Sequence, residues 1–455
     1  MKKLYRVYAA SAAALLACAA VPAAGASAAE SGLPINRNKT DKVFSDQQNT
    51  AYASCNDVYY DAWNGAVGSW LAYDISDTPA ADRKYLNLAW YSGAWNNYDY
   101  TVLNESPGAS LSAYTVSVNT AAGGGACPED GWKDLCTVKD YTCHSGEVYL
   151  DLSGMDPVNW VRITADGVQN GASQVNLNVD IHSVKEGDLP DSFLFLGDSI
   201  TAGGMVTFSA GDGNFADLVY AIDPSHYPAQ ENGGIGGIFS TDGKNNIDRW
   251  LASYPGKYVS IAYGTNDCWG DQTGAEKYYE NTVYMIRAIQ NAGKIAILPK
   301  IPFSLEKGVS ANIERYNAQV DRIYEEFPDV LRGPDFYAYF EEHPEGLSAD
   351  GVHPNSDGYN EMRKLWAKQV CEEIYTAKQI TPLLLSGDVN GDGKVSVADA
   401  VALANYLCTK TDTLAGNAAN ADLNGDGRLN AVDLSLLKQQ ILASRAVIQP
   451  PVMRE

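Results

Sequence analysis

Positive charge is scarce in this chain of 455 residues, in which 33 Lys and Arg stand against 56 Asp and Glu for a formal net charge of −23. A surface for nucleic acid or for an anionic membrane would have to overcome the field of the whole molecule, so neither is an expected partner. The Gly-x-Ser-x-Gly motif is also missing. That absence argues against a conventional α/β-hydrolase.

Cysteine is sparse as well, with eight in the chain. If Cys18 is removed with the N-terminal segment discussed next, an odd number remains, which argues against a disulfide framework. One cluster has the residue types of a metal site: Cys127, Cys136, Cys143 and His144. Its spacing matches no standard zinc pattern, so we expect loop residues or a single disulfide there.

The chain does have the composition of a folded protein, 45% hydrophobic, 20% charged and 10% aromatic. At about 150 residues per domain, its length predicts about three domains. Residues 1–29 carry basic residues, an Ala/Leu-rich run and then small residues, which predicts a secretory signal peptide and a secreted protein. The alternatives are a membrane-spanning helix, for which the run is short, and a bacterial lipobox at Leu15 to Cys18, which would place a lipid on Cys18.

Residues 40–186 contain short Tyr, Trp, Val and Leu runs separated by Gly, Asn, Asp and Pro. Runs of this length without a helical period predict an antiparallel β-sandwich. The predicted strands are Ser69 to Ile75, Tyr85 to Trp90, Tyr98 to Leu103, Tyr114 to Val118, Val148 to Leu152, Trp160 to Ile163 and Gln174 to His182. The pattern resembles the galactose-binding-like jelly rolls that precede many carbohydrate-active enzymes. Its tryptophans are either core residues or platforms for sugar rings: Trp63, Trp70, Trp90, Trp95, Trp132 and Trp160.

Residues 188–378 follow a different pattern. Compact apolar runs at Ser192 to Leu196, Tyr258 to Tyr263 and Lys294 to Leu298 predict buried parallel strands. Apolar residues at helical spacing predict three helices, which contain Tyr279 to Ile289, Ile313 to Ile323, and Met362 to Ile374. Strands that alternate with helices predict a three-layer α/β domain whose site lies at the carboxyl ends of the strands.

Four short blocks occur in order in this region: Gly197-Asp198-Ser199-Ile200, Asn232-Gly-Gly-Ile-Gly236-Gly237, Gly264-Thr-Asn266-Asp267 and Asp350-Gly-Val-His353-Pro354. These blocks resemble those of the SGNH (GDSL-type) hydrolases, which have a flavodoxin-like parallel sheet. The resemblance implies a catalytic triad of Ser199, His353 and Asp350. It also implies an oxyanion hole made by the backbone N–H groups of Ser199 and Gly237 and the side-chain amide of Asn266.

The residue types of these blocks suit acyl transfer without any cofactor. A serine hydroxyl is a poor nucleophile until an imidazole takes its proton, and a carboxylate fixes the tautomer of that imidazole and stabilises its charged form. The carbonyl oxygen that becomes negative needs donors already aimed at it.

Trp269 either walls the acyl pocket or packs in the core. His226 is better interpreted as a surface or core histidine, although it is near enough to the glycine block to line a cleft.

Residues 387–446 contain an acidic loop that occurs twice. Oxygen side chains at positions 1, 3, 5, 9 and 12, with Gly at position 6, suit Ca²⁺, and position 7 contributes its backbone carbonyl. The predicted metal ligands are Asp388, Asn390, Asp392, Lys394, Ser396 and Asp399 in the first loop, and Asp422, Asn424, Asp426, Arg428, Asn430 and Asp433 in the second. Position 12 is Asp instead of the Glu of ordinary EF-hands, and no helix enters the first loop. The segment resembles the type I dockerin of cellulosomes, which implies two structural Ca²⁺ ions and a scaffoldin cohesin as partner.

Together these resemblances imply a secreted multidomain enzyme with an N-terminal all-β jelly-roll sandwich, a central α/β hydrolase and a small α-helical dockerin. An enzyme carried by a cellulosome works on plant cell wall. We therefore expect a serine esterase that removes acetyl groups from xylan, mannan or pectin. A feruloyl or short-chain aryl esterase and a non-catalytic glycan-binding subunit are the alternatives.

Overall fold

The computed structural model describes residues 32–56, 58, 62–91, 110–139, 141, 146–169, 172–206, 213–375, 387, 389, 395–409, 418–424 and 428–446. Several predictions lie outside these residues: the signal peptide with Cys18, the strand at Tyr98 to Leu103, Trp95, the pair Cys143 and His144, and the calcium ligands Asp388, Asn390, Asp392, Lys394 and Asp426. The domain boundaries 40–186, 188–378 and 387–446 stay predictions.

The N-terminal region is built from antiparallel strands, as the short aromatic and β-branched runs predict. Its strands are β1 (Val43–Ser45), β2 (Trp63–Gly65), β3 (Trp70–Asp74), β4 (Tyr85–Tyr91), β5 (Leu111–Asn119), β6 (Lys133–Val138), β7 (Gly146–Asp151), β8 (Trp160–Val168) and β9 (Val175–Ser183), with a short helix α1 (Gln48–Ala51). One sheet has the order β1-β3-β8-β5-β6 and the other β2-β9-β4-β7. The all-β prediction is confirmed, whereas the jelly-roll topology stays a prediction.

One hydrophobic core is shared by the two N-terminal sheets. In β8, Val161, Ile163 and Ala165 alternate with more exposed residues and face this core. Trp63, Trp90 and Trp160 are fully buried, with no exposed surface. Because a sugar ring needs an exposed aromatic face, these tryptophans are core residues and not sugar platforms.

The central region is an α/β domain around a parallel sheet. Its strands are β10 (Ser192–Gly197), β11 (Ala229–Gly234), β12 (Tyr258–Ala262), β13 (Ile295–Leu298) and β14 (Leu331–Arg332), in the order β11-β10-β12-β13-β14. All neighbouring pairs are parallel. Every residue of β10 is buried, as expected for a strand covered by helices on both faces.

Helices connect these strands: α2 (Ser199–Gly204), α3 (Phe215–Ile222), α4 (Ser240–Ser253), α5 (Thr265–Cys268), α6 (Ala275–Asn291), α7 (Lys307–Ser310), α8 (Ile313–Glu326), α9 (Phe336–Glu342) and α10 (Ser356–Gln369), the last continued by a π-helical segment at Val370–Tyr375. The three helices predicted from apolar periodicity are confirmed as α6, α8 and α10. Helix α6 ends before Gly293, whose φ of +72° is the left-handed conformation that terminates helices.

The N-terminal region packs against the amino ends of the parallel strands. Ser192 Oγ, on the first residue of β10, donates a hydrogen bond to Glu147 in β7. Gln230, near the start of β11, donates its N–H to the Tyr91 hydroxyl over 3.3 Å. Because strand direction is shared, these contacts lie at the sheet edge opposite to the carboxyl ends.

The C-terminal region contains α11 (Val397–Thr409), α12 (Ala418–Ala421) and α13 (Ala431–Ala446). Its small core consists of Val389, Ala400, Leu403, Ala421, Leu437 and Ile441. Arg287 on α6 donates a hydrogen bond of 2.7 Å to the Asn424 carbonyl, which connects this region to the hydrolase. Throughout the described residues, every helix is too short or too polar to cross a bilayer.

Candidate active site

Ser199 sits where β10 ends and α2 begins. Asp198 caps this helix, because its Oδ1 accepts the Ile200 N–H over 2.9 Å. A Cβ at Gly197 would lie 2.1 Å from Thr201 Oγ1, so only glycine permits this sharp turn from strand to helix. The turn presents the Ser199 hydroxyl at the carboxyl edge of the sheet and leaves its N–H without a helical acceptor.

The three predicted triad residues come together at this edge. Ser199 Oγ lies 2.8 Å from His353 Nε2. On the other side of the imidazole, His353 Nδ1 lies 2.7 Å from Asp350 Oδ2. This is the geometry in which an imidazole takes the serine proton while a carboxylate holds its second nitrogen.

Asp350 is held ionised by its own loop. Its Oδ1 accepts hydrogen bonds from Ser348 Oγ and from the N–H groups of Val352 and His353, over 2.8, 2.9 and 3.0 Å. Partial burial alone would raise the pKa of Asp350. The donated hydrogen bonds outweigh that effect and bring its pKa well below the usual range. The carboxylate is therefore negative at neutral pH.

The predicted oxyanion donors follow three adjacent strands, with Gly237 in the loop after β11, Ser199 at the start of α2 after β10, and Asn266 in α5 after β12. Asn266 Nδ2 donates one hydrogen bond of 3.0 Å to the Ile238 carbonyl, which fixes the amide beside the Gly237 peptide. Gly237 has a φ of +77°, and a Cβ there would meet no atom within 4 Å. Its backbone thus borders open space, where a substrate can approach.

Two further carboxyl groups lie in the blocks, although the sequence predicted no role for them. Asp267 is fully buried and accepts hydrogen bonds from the Ser240 N–H and hydroxyl, over 3.0 and 2.5 Å, so it ties α5 to the start of α4. Asp198 is 1% exposed, and burial raises its pKa to about 7. The sequence signal that could have indicated a role for these two carboxyl groups was their position in the blocks, directly beside Asn266 and Ser199.

His226 is a surface histidine and not part of the cleft, so the first of its two interpretations is the one that the structure supports. Its Nδ1 lies 3.2 Å from Asp191, which precedes β10, and its ring stacks on Tyr375 with centroids 3.6 Å apart. Both contacts are at the amino edge of the sheet. His226 is close in sequence to the glycine block but not close to its end in space. Strand β11 crosses the sheet between His226 and Gly237 and so places them at opposite edges.

Trp269 lies directly after α5 and is 37% exposed. The pyrrole edge of its indole lies over Gly308, where a Cβ would be 2.8 Å from the Trp269 Cδ1. One face of the side chain is thus packed and part of it is open to solvent.

The described part of the two acidic loops includes the residue at position 12 of each. Asp399 and Asp433 have no exposed surface. Asp399 Oδ2 accepts the Ser396 N–H over 2.7 Å, and Asp433 accepts the N–H groups of Leu423 and Asn430 over 3.0 and 2.9 Å. Among the described residues, no three His, Cys, Asp or Glu side chains form a metal-binding group. Cys127 and Cys136 are free thiols.

Two family models match the chain. Residues 195–360 match the GDSL-like Lipase/Acylhydrolase family, and residues 386–442 match the Dockerin type I domain. The chain therefore contains a GDSL-type hydrolase domain followed by a type I dockerin domain. No curated protein matches the chain.

Several solved structures are similar to parts of the chain. An acetylxylan esterase from Geobacillus stearothermophilus is 23% identical, with 40% of this chain and 94% of that chain covered and a TM-score of 0.34. A carbohydrate esterase family 3 protein from Talaromyces cellulolyticus is 20% identical, with 40% and 96% covered and a TM-score of 0.33. A Bacillus subtilis protein is 14% identical, with 74% and 92% covered and a TM-score of 0.38.

Proposed function

We propose that this protein is a secreted, cellulosomal carbohydrate esterase that removes acetyl groups from plant cell-wall polysaccharide through an acetyl-serine intermediate. The observation that carries the proposal is the chain of contacts from Ser199 through His353 to Asp350 at the carboxyl edge of the sheet. The His353 and Asp350 side chains are 36% and 50% exposed. An open site of this kind suits a polymeric substrate.

Acyl transfer in this site begins when His353 Nε2 takes the Ser199 proton as Oγ attacks the acetyl carbonyl. Asp350 accepts the Nδ1–H and stabilises the imidazolium. The negative carbonyl oxygen of the tetrahedral intermediate accepts hydrogen bonds from the N–H groups of Ser199 and Gly237 and from the Asn266 amide. Loss of one such donor typically lowers kcat by about 10²- to 10³-fold.

Breakdown of the intermediate breaks the bond to the sugar oxygen, which receives the proton from His353 Nε2. The sugar leaves with a free hydroxyl, and the acetyl group stays on Ser199 Oγ. A water molecule then gives its proton to His353 Nε2 and attacks the acetyl carbonyl. Acetate departs, and the proton returns to Ser199 Oγ.

The dockerin supports the choice of substrate. Type I dockerins attach proteins to scaffoldin cohesins, so the enzyme would work on plant cell wall beside other polysaccharide-degrading enzymes. Acetyl groups on xylan, mannan and pectin are abundant esters there. Fold alone does not choose among substrates, because the GDSL-type domain supports several acyl chemistries.

Two Ca²⁺ ions fit the acidic loops. Asp399 and Asp433 place carboxylates at position 12 of each loop, where backbone N–H groups hold them, and carboxylate oxygens are ligands that Ca²⁺ prefers. The predicted ligands of the first loop run from Asp388 to Asp399, and those of the second from Asp422 to Asp433. The ions would be structural and would couple dockerin folding to metal binding.

Acetate release from acetylated xylan, mannan and pectin tests the proposal. Wild type should release acetate from at least one polymer, and Ser199→Ala should release none above the uncatalysed rate. Equal release by both proteins would contradict the proposal. Release of ferulate without acetate would favour a feruloyl esterase, and inactivity on all esters a glycan-binding subunit.

A further inference from the structure

Two large apolar side chains are exposed at the catalytic edge of the sheet. Trp269 follows β12 and is 37% exposed, and Leu305 follows β13 and is 57% exposed. Other exposed apolar residues of the described hydrolase lie elsewhere, such as Ile222 at the end of α3 and Tyr284 on α6. Exposed apolar side chains beside a catalytic site are candidate contacts for substrate.

Trp269 is held in place by its neighbours. The carbonyl of Cys268 accepts a hydrogen bond of 2.9 Å from Asn312 Nδ2, and the carbonyl of Asp267 accepts one of 3.0 Å from the Tyr316 hydroxyl. The indole itself rests on Gly308, where any side chain would collide with it. Because the residue is already ordered, little conformational entropy is lost when a ligand contacts its open face.

Residues 304–308 connect Trp269 to the triad. The Leu305 N–H and the Ser304 hydroxyl both donate to the Gly351 carbonyl, each over 2.8 Å. Gly351 directly follows Asp350 and stands two residues before His353. This short segment therefore touches the indole at Gly308 and the triad loop at Leu305.

Residues 304–308 link Trp269 to the loop that carries His353. This link indicates which half of the ester lies near the indole. The leaving oxygen must approach His353 Nε2 to receive its proton, so the alcohol half of the ester lies on the His353 side of Ser199. In an acetylated polysaccharide the alcohol is a pyranose ring, which has an apolar C–H face and hydroxyl groups at its edge. A flat, half-open indole matches that face.

We propose that Trp269, supported by Leu305, binds the sugar ring on the alcohol side of the scissile acetyl ester and is the specificity-determining residue for glycan over other acetyl esters. This inference rests on the proposed deacetylation. It gives Trp269 a role different from the two considered from the sequence, a wall of the acyl pocket and packing in the core.

Sugar binding by the full-length Ser199→Ala protein gives a direct test, with xylohexaose and mannohexaose as the two probes in isothermal titration calorimetry. Adding Trp269→Ala should weaken binding of the preferred hexaose by about 10-fold, whereas Trp269→Phe should weaken it by less than about 3-fold. Tyr284→Ala, which removes an exposed aromatic ring from α6, is the matched control and should leave binding unchanged. Unchanged binding in Trp269→Ala, or no binding of either hexaose, would overturn the inference.

Kinetics of the active enzyme separate a role in sugar binding from a structural role. Trp269→Ala should raise KM for acetylated oligosaccharide by about 10-fold while kcat/KM for triacetin, an acetyl ester without a ring, changes by less than about 2-fold. Equal losses on both substrates would overturn the inference. If wild type releases no acetate from any polysaccharide, yet hexaose binding still depends on Trp269, the proposed function fails and the sugar site stands.

Discussion

Ser199 Oγ and His353 Nε2 lie 2.8 Å apart although the two residues are 154 positions apart in the chain. The contact joins the turn after β10 to the loop that precedes α10. Neither segment has the chemistry alone, because the hydroxyl needs the base and the base needs its carboxylate. The proposed nucleophile is therefore activated only when the sheet and α10 are packed together.

The Asp350 carboxylate should be essential for rate. Asp350→Asn keeps the size of the side chain but favours the wrong imidazole tautomer, so kcat should fall by about 10³- to 10⁴-fold. Ser348→Ala removes one of the hydrogen bonds to Asp350 and should cost less than about 10-fold. Steady-state kinetics on one acetyl ester compares the two variants, and similar losses in both would contradict this role.

A side chain at position 237 should be unfavourable because of the backbone conformation and not because of a steric clash. Gly237→Ala meets no atom but is strained at a φ of +77°, so the free energy of unfolding should fall by about 1 kcal/mol and kcat by about 10-fold as the N–H moves. Gly236→Ala is the matched control, because that site is equally open and its φ is not positive. Urea denaturation and kinetics of both variants test the prediction, which fails if the two behave alike.

His182 should make the fold sensitive to acid. Burial lowers the pKa of His182 from 6.5 to about 4, so the folded state resists protonation. Its contribution to stability is complete above pH 6.5 and is lost as the pH falls toward 4, by at most about 3 kcal/mol. Burial raises the pKa of Glu147, which has the opposite effect and destabilises the fold as the pH rises above 4.5.

The difference in unfolding free energy between wild type and His182→Gln isolates the histidine from Glu147. That difference should decrease steadily from pH 7 to pH 4 in urea titrations. A difference that is independent of pH would contradict the neutral, buried state of His182.

Removal of calcium should separate docking from catalysis. Chelation by EGTA should abolish cohesin binding and unfold the C-terminal helices, while acetate release changes by less than about 2-fold. Asp433→Ala in excess calcium should weaken cohesin binding in the same way, since it removes a predicted calcium ligand of the second loop. Loss of esterase activity on chelation would show that the hydrolase depends on the dockerin.

Much of the fold was predictable because its signals are local. The uniformly apolar run of β10 and the spacing of apolar residues along α8 identify a buried strand and an amphipathic helix directly. Strand β11, with the sequence Ala-Gln-Glu-Asn-Gly-Gly, was missed because its residues have low strand propensity. Its pairing with β10 overrides that propensity.

The sequence was enough to predict which residues of the candidate site lie together, since each block carries its own chemistry. The packing of the residues around the site could not be predicted. The buried states of Asp198 and Asp267 and the position of His226 at the amino edge depend on tertiary packing. The sequence also gave no sign that the N-terminal region contacts the amino ends of the strands, through partners such as Glu147 and Ser192.

The acetyl-enzyme on Ser199 is the most direct test of the account. Enzyme mixed with an activated acetyl ester, quenched in acid within milliseconds and digested should yield a peptide containing Ser199 that is heavier by about 42 Da, the mass of one acetyl group. This adduct should form in wild type and be absent in Ser199→Ala. An acetylated peptide from any other part of the chain, with Ser199 unmodified during turnover, would contradict the account.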